Sequence, residues 1–146
     1  LKKEARTVAP GAAVWLRILY ALCLLGATFN HAEIILRHGL FYDYGGRGWA
    51  TSAYWTSLAF IDPLAALLLL IRPRIGLIAT AVIMVTDVTH NAWITWNDAT
   101  RYGIPPLRHN IMFVEQIAFL VFFAVTAPIA WRGLKSAPAE HTEGQR

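Results

Sequence analysis

Four stretches of roughly 20 residues, each about as long as the hydrocarbon core of a bilayer is thick, divide the chain at residues 12–36, 54–71, 75–96 and 110–131. Only Arg72-Pro73-Arg74 separates the second from the third, a connection too short for anything but an antiparallel reversal. In hydrocarbon every backbone N–H and C=O must be paired within the chain, so spans of this kind are helices. The expected fold is all-α: an integral membrane four-helix antiparallel bundle, with residues 1–146 forming a single membrane domain. Composition excludes the soluble alternative. The chain is 56% hydrophobic and 15% charged, with a mean hydropathy of +0.44, whereas soluble domains carry roughly 25% charged residues.

The single cysteine, Cys23, rules out an intramolecular disulfide framework and a Cys-rich metal cluster. The net charge of +4 does not point to nucleic acid, because the basic residues are dispersed at the ends of the apolar runs. Lys2, Lys3, Arg6, Arg17, Arg72, Arg74, Arg132, Lys135 and Arg146 fall on one face of a four-span topology, and Arg37, Arg47, Arg101 and Arg108 on the other. Nine against four places both termini in the cytoplasm by the positive-inside rule, in a plasma or bacterial inner membrane. The basic start and the apolar run up to Gly26-Ala27 have the outline of a signal peptide, but apolar character resumes at Ile34, which favours a span. Tyr44-Gly45-Gly46-Arg47-Gly48-Trp49 is too rich in glycine for a helix and reads as an interfacial loop. The polar tail from residue 136 reads as disordered.

The ionisable residues within the spans gather toward one end. Asn30, His31, Glu33 and His38 close the first span, and Asp62 lies in the second. Asp87, His90 and Asn91 occupy the corresponding half of the third, while His109, Asn110, Glu115 and Gln116 open the fourth. An ionised carboxylate facing lipid costs at least about 2.5–3.5 kcal/mol near a helix centre. Four such penalties favour turning the carboxylates inward around a polar cavity on the non-cytoplasmic side. Glu33 and Arg37, four residues apart, also suit an ion pair along one helix.

Two chemistries fit this pattern. In the first, the cavity binds a lipophilic small molecule and transforms it by acid–base chemistry of the isomerase or cyclase kind, with no cofactor. Asp87 and His90 would be the acid–base pair and Glu115 the second carboxylate; His31, Glu33, Asp62, Asn91, Trp55, Trp93 and Gln116 would line the ligand. In the second, His31, Asp87, His90, His109 and Glu115 ligate a transition metal ion, since carboxylate and imidazole at i,i+3 on a helix can share one ion. A third reading has the chain as a non-catalytic subunit of a larger membrane complex or a homo-oligomer, its polar residues serving helix packing.

A first span with a histidine and a glutamate, an aromatic-rich loop, Asp62-Pro63 in the second span, Asp87-Val88-Thr89-His90-Asn91 in the third and a fourth span ending near Pro128 together resemble the EXPERA family. That family includes sterol isomerases of the emopamil-binding type and the sigma-2 receptor. The resemblance covers residues 14–131 as a pattern. It implies a helical bundle with a polar cavity for a lipophilic, sterol-like or amine-bearing ligand, and transfers to His31, Asp62 and residues 87–91 as pocket positions.

Overall fold

The computed structural model describes residues 10–103 and 110–134. They form four helices: α1 (Pro10–His38), α2 (Trp49–Ile71), α3 (Pro73–Tyr102) and α4 (Ile111–Gly133). All four are long and apolar enough to cross a membrane. At 1.5 Å per residue the 23 residues of α2 and α4 reach about 34 Å, and the 30 of α3 about 45 Å. Each helix packs against its neighbours in sequence, and α1 closes the ring by packing on α4. The exposed apolar residues identify the solvent. Leu22, Phe29, Phe60, Leu64, Val82, Val85, Val121 and Val125 all point outward, a girdle of apolar surface that a water-soluble monomer does not carry. The chain is a multi-pass helical membrane protein.

Local chemistry sets the helix ends. Pro73 opens α3, where its missing N–H would have no helical partner and its fixed φ suits the first turn. Gly103 closes the same helix in the left-handed conformation at φ 66°. Asn110 caps α4, its side chain accepting from the Phe113 N–H at 3.1 Å. Two helices run further than their apolar stretches predict. α2 begins at Trp49 instead of residue 54, and α3 continues to Tyr102 instead of ending near residue 96, because an amphipathic turn needs no apolar run once its backbone is paired and it reaches the headgroup layer.

The apolar core occupies the half of the bundle nearer Arg72. Tyr20, fully buried, packs edge-on against Phe122 and Phe123 with ring centroids 5.6 and 4.9 Å away. Its hydroxyl lies 2.6 Å from Thr126 Oγ1, which satisfies the one polar atom of the cluster. Leu24, Leu58, Ala65, Leu69, Leu77 and Ala130 fill the rest. The reversal between α2 and α3 is a single residue, Arg72, and it brings the helices so close that a Cβ on Gly76 would overlap the backbone of Leu69. Small residues permit such approaches, on which packing in a membrane depends.

At the opposite end, residues 39–48 join α1 to α2. Tyr44, Gly45 and Gly46 follow one another at φ 50°, 77° and 80°, a left-handed run that two glycines make affordable. The Asp43 carboxylate accepts from the Gly45 N–H at 3.0 Å and pins the turn. Arg47 then reaches across to Asp98 on α3 with two parallel bonds of 2.9 and 2.6 Å, tying the loop to the bundle.

Candidate functional site

Beneath this loop lies a chamber of about 220 Å³ between all four helices. Asn30, His31 and Ile34 of α1, Trp55 of α2, Asn91, Ile94 and Thr95 of α3, and Met112, Phe113 and Gln116 of α4 enclose it, with Tyr44 and the Arg47–Asp98 pair above and Asn110 at one side. The walls hold themselves in place. Trp55 Nε1 donates to Asn91 Oδ1 at 3.2 Å, and Asn91 Nδ2 donates to Asp87 Oδ1 at 2.8 Å. The Asn110 amide reaches Thr95 Oγ1 at 3.3 Å, and the Tyr44 ring stands edge-on to Trp55 at 4.9 Å.

Three wall atoms have no partner among the described residues. His31 Nδ1, Gln116 Oε1 and Tyr44 Oη are shielded from solvent and make no hydrogen bond there. Native proteins rarely leave buried polar atoms unpaired, and each such atom calls for an explanation. Here all three belong to residues lining one space.

A second cavity, a groove of about 540 Å³ between α1 and α4, is lined by Cys23, Gly26, Ala27, Phe29 and Phe119 and by Glu115. It shares Asn30, His31, Met112 and Gln116 with the chamber. The two voids therefore meet at His31 and Gln116, one running along the lipid-facing seam and the other under the loop.

The residues singled out by sequence are distributed unevenly around these voids. His31, Trp55, Asn91 and Gln116 line the chamber. Asp87 is buried directly below Asn91 and touches the chamber only through it. Asp62 is 2% exposed, deeper still, with Oδ1 unpartnered. His90 is held outside the chamber among Tyr54, Trp55 and Trp93, with ring centroids 4.8, 5.8 and 6.1 Å away. Trp93 is exposed on the outer face of α3. Glu115 is exposed at the rim of the groove. Glu33 forms the i,i+4 ion pair with Arg37 at 2.5 Å on the bundle surface. The four carboxylates thus split into an interior pair, Asp62 and Asp87, and a peripheral pair, so Asp87, His90 and Glu115 do not face a common space. Among the described residues no three His, Cys, Asp or Glu side chains come together as a metal site; His109 lies outside the described residues, as do Lys2, Lys3, Arg6, Arg108, Lys135, Arg146 and the tail.

Tyr44, Thr95, Asn110 and the Arg47–Asp98 pair did not stand out in the sequence as site residues. A signal for two of them exists: Asp87, Asn91, Thr95 and Asp98 recur at intervals of 4, 4 and 3 on α3, one polar stripe on one helix face. Tyr44 carries no such signal, since a loop has no period. Asp98 also holds the Arg47 guanidinium above its already high ordinary value by hydrogen bonding.

The chain matches no family model, and comparison with curated proteins and with solved structures gives no match.

Proposed function

We propose that this membrane protein binds a lipophilic small molecule whose apolar body lies in the α1–α4 groove and whose polar head enters the chamber. The observation that carries this reading is the junction: groove and chamber share His31 and Gln116, and both residues hold an unpaired polar atom there. A ligand entering sideways from the bilayer meets Gly26, Ala27 and Phe29 first. Its head then finds an acceptor in Gln116 Oε1, a hydroxyl in Tyr44 and an imidazole in His31. Among the described residues the charged side chains lining the chamber are Arg47 and Asp98, which neutralise each other, and this suits an uncharged hydrogen-bonding head over an ion.

Acid–base chemistry on such a head falls to His31, the imidazole that lines the chamber. Asp87 acts at one remove, orienting Asn91 and through it Trp55. The class of reaction is a proton transfer of the isomerase or cyclase kind. His31 is also among the positions that the EXPERA-like pattern assigns to a pocket. The distribution of basic residues supports placing the loop end, and with it the chamber, on the non-cytoplasmic side.

The test is to purify the full chain in a mild detergent and identify co-purifying lipophiles by extraction and mass spectrometry. Gly26→Phe would plug the groove, and a Cβ at this position meets nothing within 4 Å, so the helix backbone has room for a side chain to start there. A lipophile retained in near-stoichiometric amount by the wild type and lost in both Gly26→Phe and Gln116→Leu is the expected result. Equal recovery from all three proteins would overturn the proposal.

A further inference from the structure

A third cavity, a cleft of about 480 Å³, lies on the other side of the Arg47–Asp98 pair and opens outward between the glycine loop and the end of α3. Gly46 and Arg47 form its loop side; Trp93, Asn97, Asp98 and Arg101 form its helix side. No part of the function proposed above uses it.

Its depth in the membrane follows from helix lengths. α2 and α3 share the one-residue turn at Arg72, but α3 is 30 residues long and α2 is 23. α3 therefore overshoots its neighbour by seven residues, about 10 Å. Its whole length of about 45 Å exceeds a hydrocarbon core of about 30 Å. The excess, which carries Asn97, Asp98 and Arg101, stands in the headgroup layer, and the exposed Trp93, Trp96 and Tyr102 form the aromatic belt expected at that level.

The charge of the cleft is unbalanced. Arg47 is paired with Asp98, whereas Arg101 is exposed and makes no ion pair among the described residues. Among the described residues two guanidiniums against one carboxylate leave one positive charge. Arg47 spends its Nη1 and Nη2 groups on Asp98, yet a guanidinium has five N–H donors, so it retains donors for a second acceptor. Gly46, without a side chain, leaves the loop backbone open to close approach.

We propose that this cleft binds a phosphate group at the membrane surface, with Arg101 as its principal partner, Arg47 as the second and Asn97 as a neutral donor, and that the phosphate belongs to an anionic phospholipid headgroup. A phosphodiester carries one negative charge and neutralises the cleft. Its oxygens accept from planar guanidiniums in the paired geometry that favours arginine over lysine at such sites. A lipid tethered in the bilayer also presents its phosphate at the depth to which α3 projects.

The experiment uses the full chain in an uncharged detergent, titrated with phosphatidylglycerol, with diacylglycerol of the same acyl chains, or with inorganic phosphate, and read by native mass spectrometry and thermal stability. One phosphatidylglycerol per chain is expected to be retained and to raise the melting temperature, while diacylglycerol does neither. Arg101→Gln should weaken retention about tenfold, the worth of one charge-assisted contact, and Arg47→Gln should weaken it less. Arg72→Gln removes the same charge at the opposite end of the bundle and should leave retention unchanged. Arg101 is exposed, so its loss does not threaten folding. Equal losses in Arg101→Gln and Arg72→Gln, or retention of diacylglycerol matching that of phosphatidylglycerol, would overturn the proposal. Protection by inorganic phosphate as strong as that by the lipid would assign the cleft to free phosphate and overturn the headgroup assignment.

Discussion

Trp55 and Asn91 are joined across the α2–α3 seam by a hydrogen bond of 3.2 Å from the indole N–H to the amide oxygen. This bond fixes which end of the amide faces Asp87, because the same side chain then has only its NH₂ group left to donate downward, at 2.8 Å. The amide is thus the floor of the chamber and the cover of a buried carboxylate at once.

Asn91→Leu should accordingly do more harm than losing one bond. It strands the Trp55 N–H and uncovers Asp87, at a cost of about 1–3 kcal/mol. Trp55→Phe removes only the upper bond and should cost about 1 kcal/mol or less beyond the loss of ring area. Reversible unfolding in mixed micelles compares the two; equal costs would show that the two bonds do not act through one amide.

The Arg47–Asp98 pair offers a test of the loop's attachment. Its side chains remain about a quarter to a third exposed, so the paired geometry should be worth about 0.5–1 kcal/mol, near the upper end for surface pairs. A double-mutant cycle through Arg47→Gln and Asp98→Asn measures that coupling. Raising salt from about 0.1 M to 1 M, which shortens the screening length from about 10 to 3 Å, should erase most of it.

The same pair predicts a pH response on its cationic side. Arg47 is raised by Asp98. A group raised in the folded state contributes stability that is fully present below its unfolded value and is lost only as pH climbs through the folded one. For arginine that window opens above about 12. Between neutrality and about pH 10 the loop's attachment should therefore be flat with pH while remaining salt-sensitive. Hydrogen exchange at the Gly45 and Arg47 amides, both bonded to Asp43 and corrected for the intrinsic pH dependence of exchange, reads both; a steep loss of protection over that range would contradict it.

Two glycines on different helices, one on α3 and one on α1, should behave oppositely. A Cβ at Gly76 would run into the Leu69 backbone, and no flexible side chain is there to yield. Gly76→Ala should destabilise by about 1–3 kcal/mol, as overpacking does. Gly26 meets nothing within 4 Å, and Gly26→Ala should be neutral or slightly stabilising, since alanine is the better helix former. Melting temperatures of the two variants settle the contrast directly.

The sequence by itself determined the four helices, their antiparallel order and the end at which polarity collects. Each is written in one dimension: span length against bilayer thickness, a three-residue basic turn, and the position of polar residues along each run. The Glu33–Arg37 pair belongs to the same group, because both partners lie on one helix at a fixed spacing. Tertiary structure alone decided which of four carboxylates is buried. Asp62 and Glu115 look alike in a hydropathy profile, yet one is sealed between helices and the other stands at a groove rim. That outcome depends on the rotation of each helix about its axis, which is set by close contacts such as Gly76 on Leu69 and Tyr20 on Thr126. The chamber itself is a property of four helices and a loop together. Tyr44 enters it only because a left-handed run folds the loop back over the bundle, and no periodicity along the chain encodes that direction.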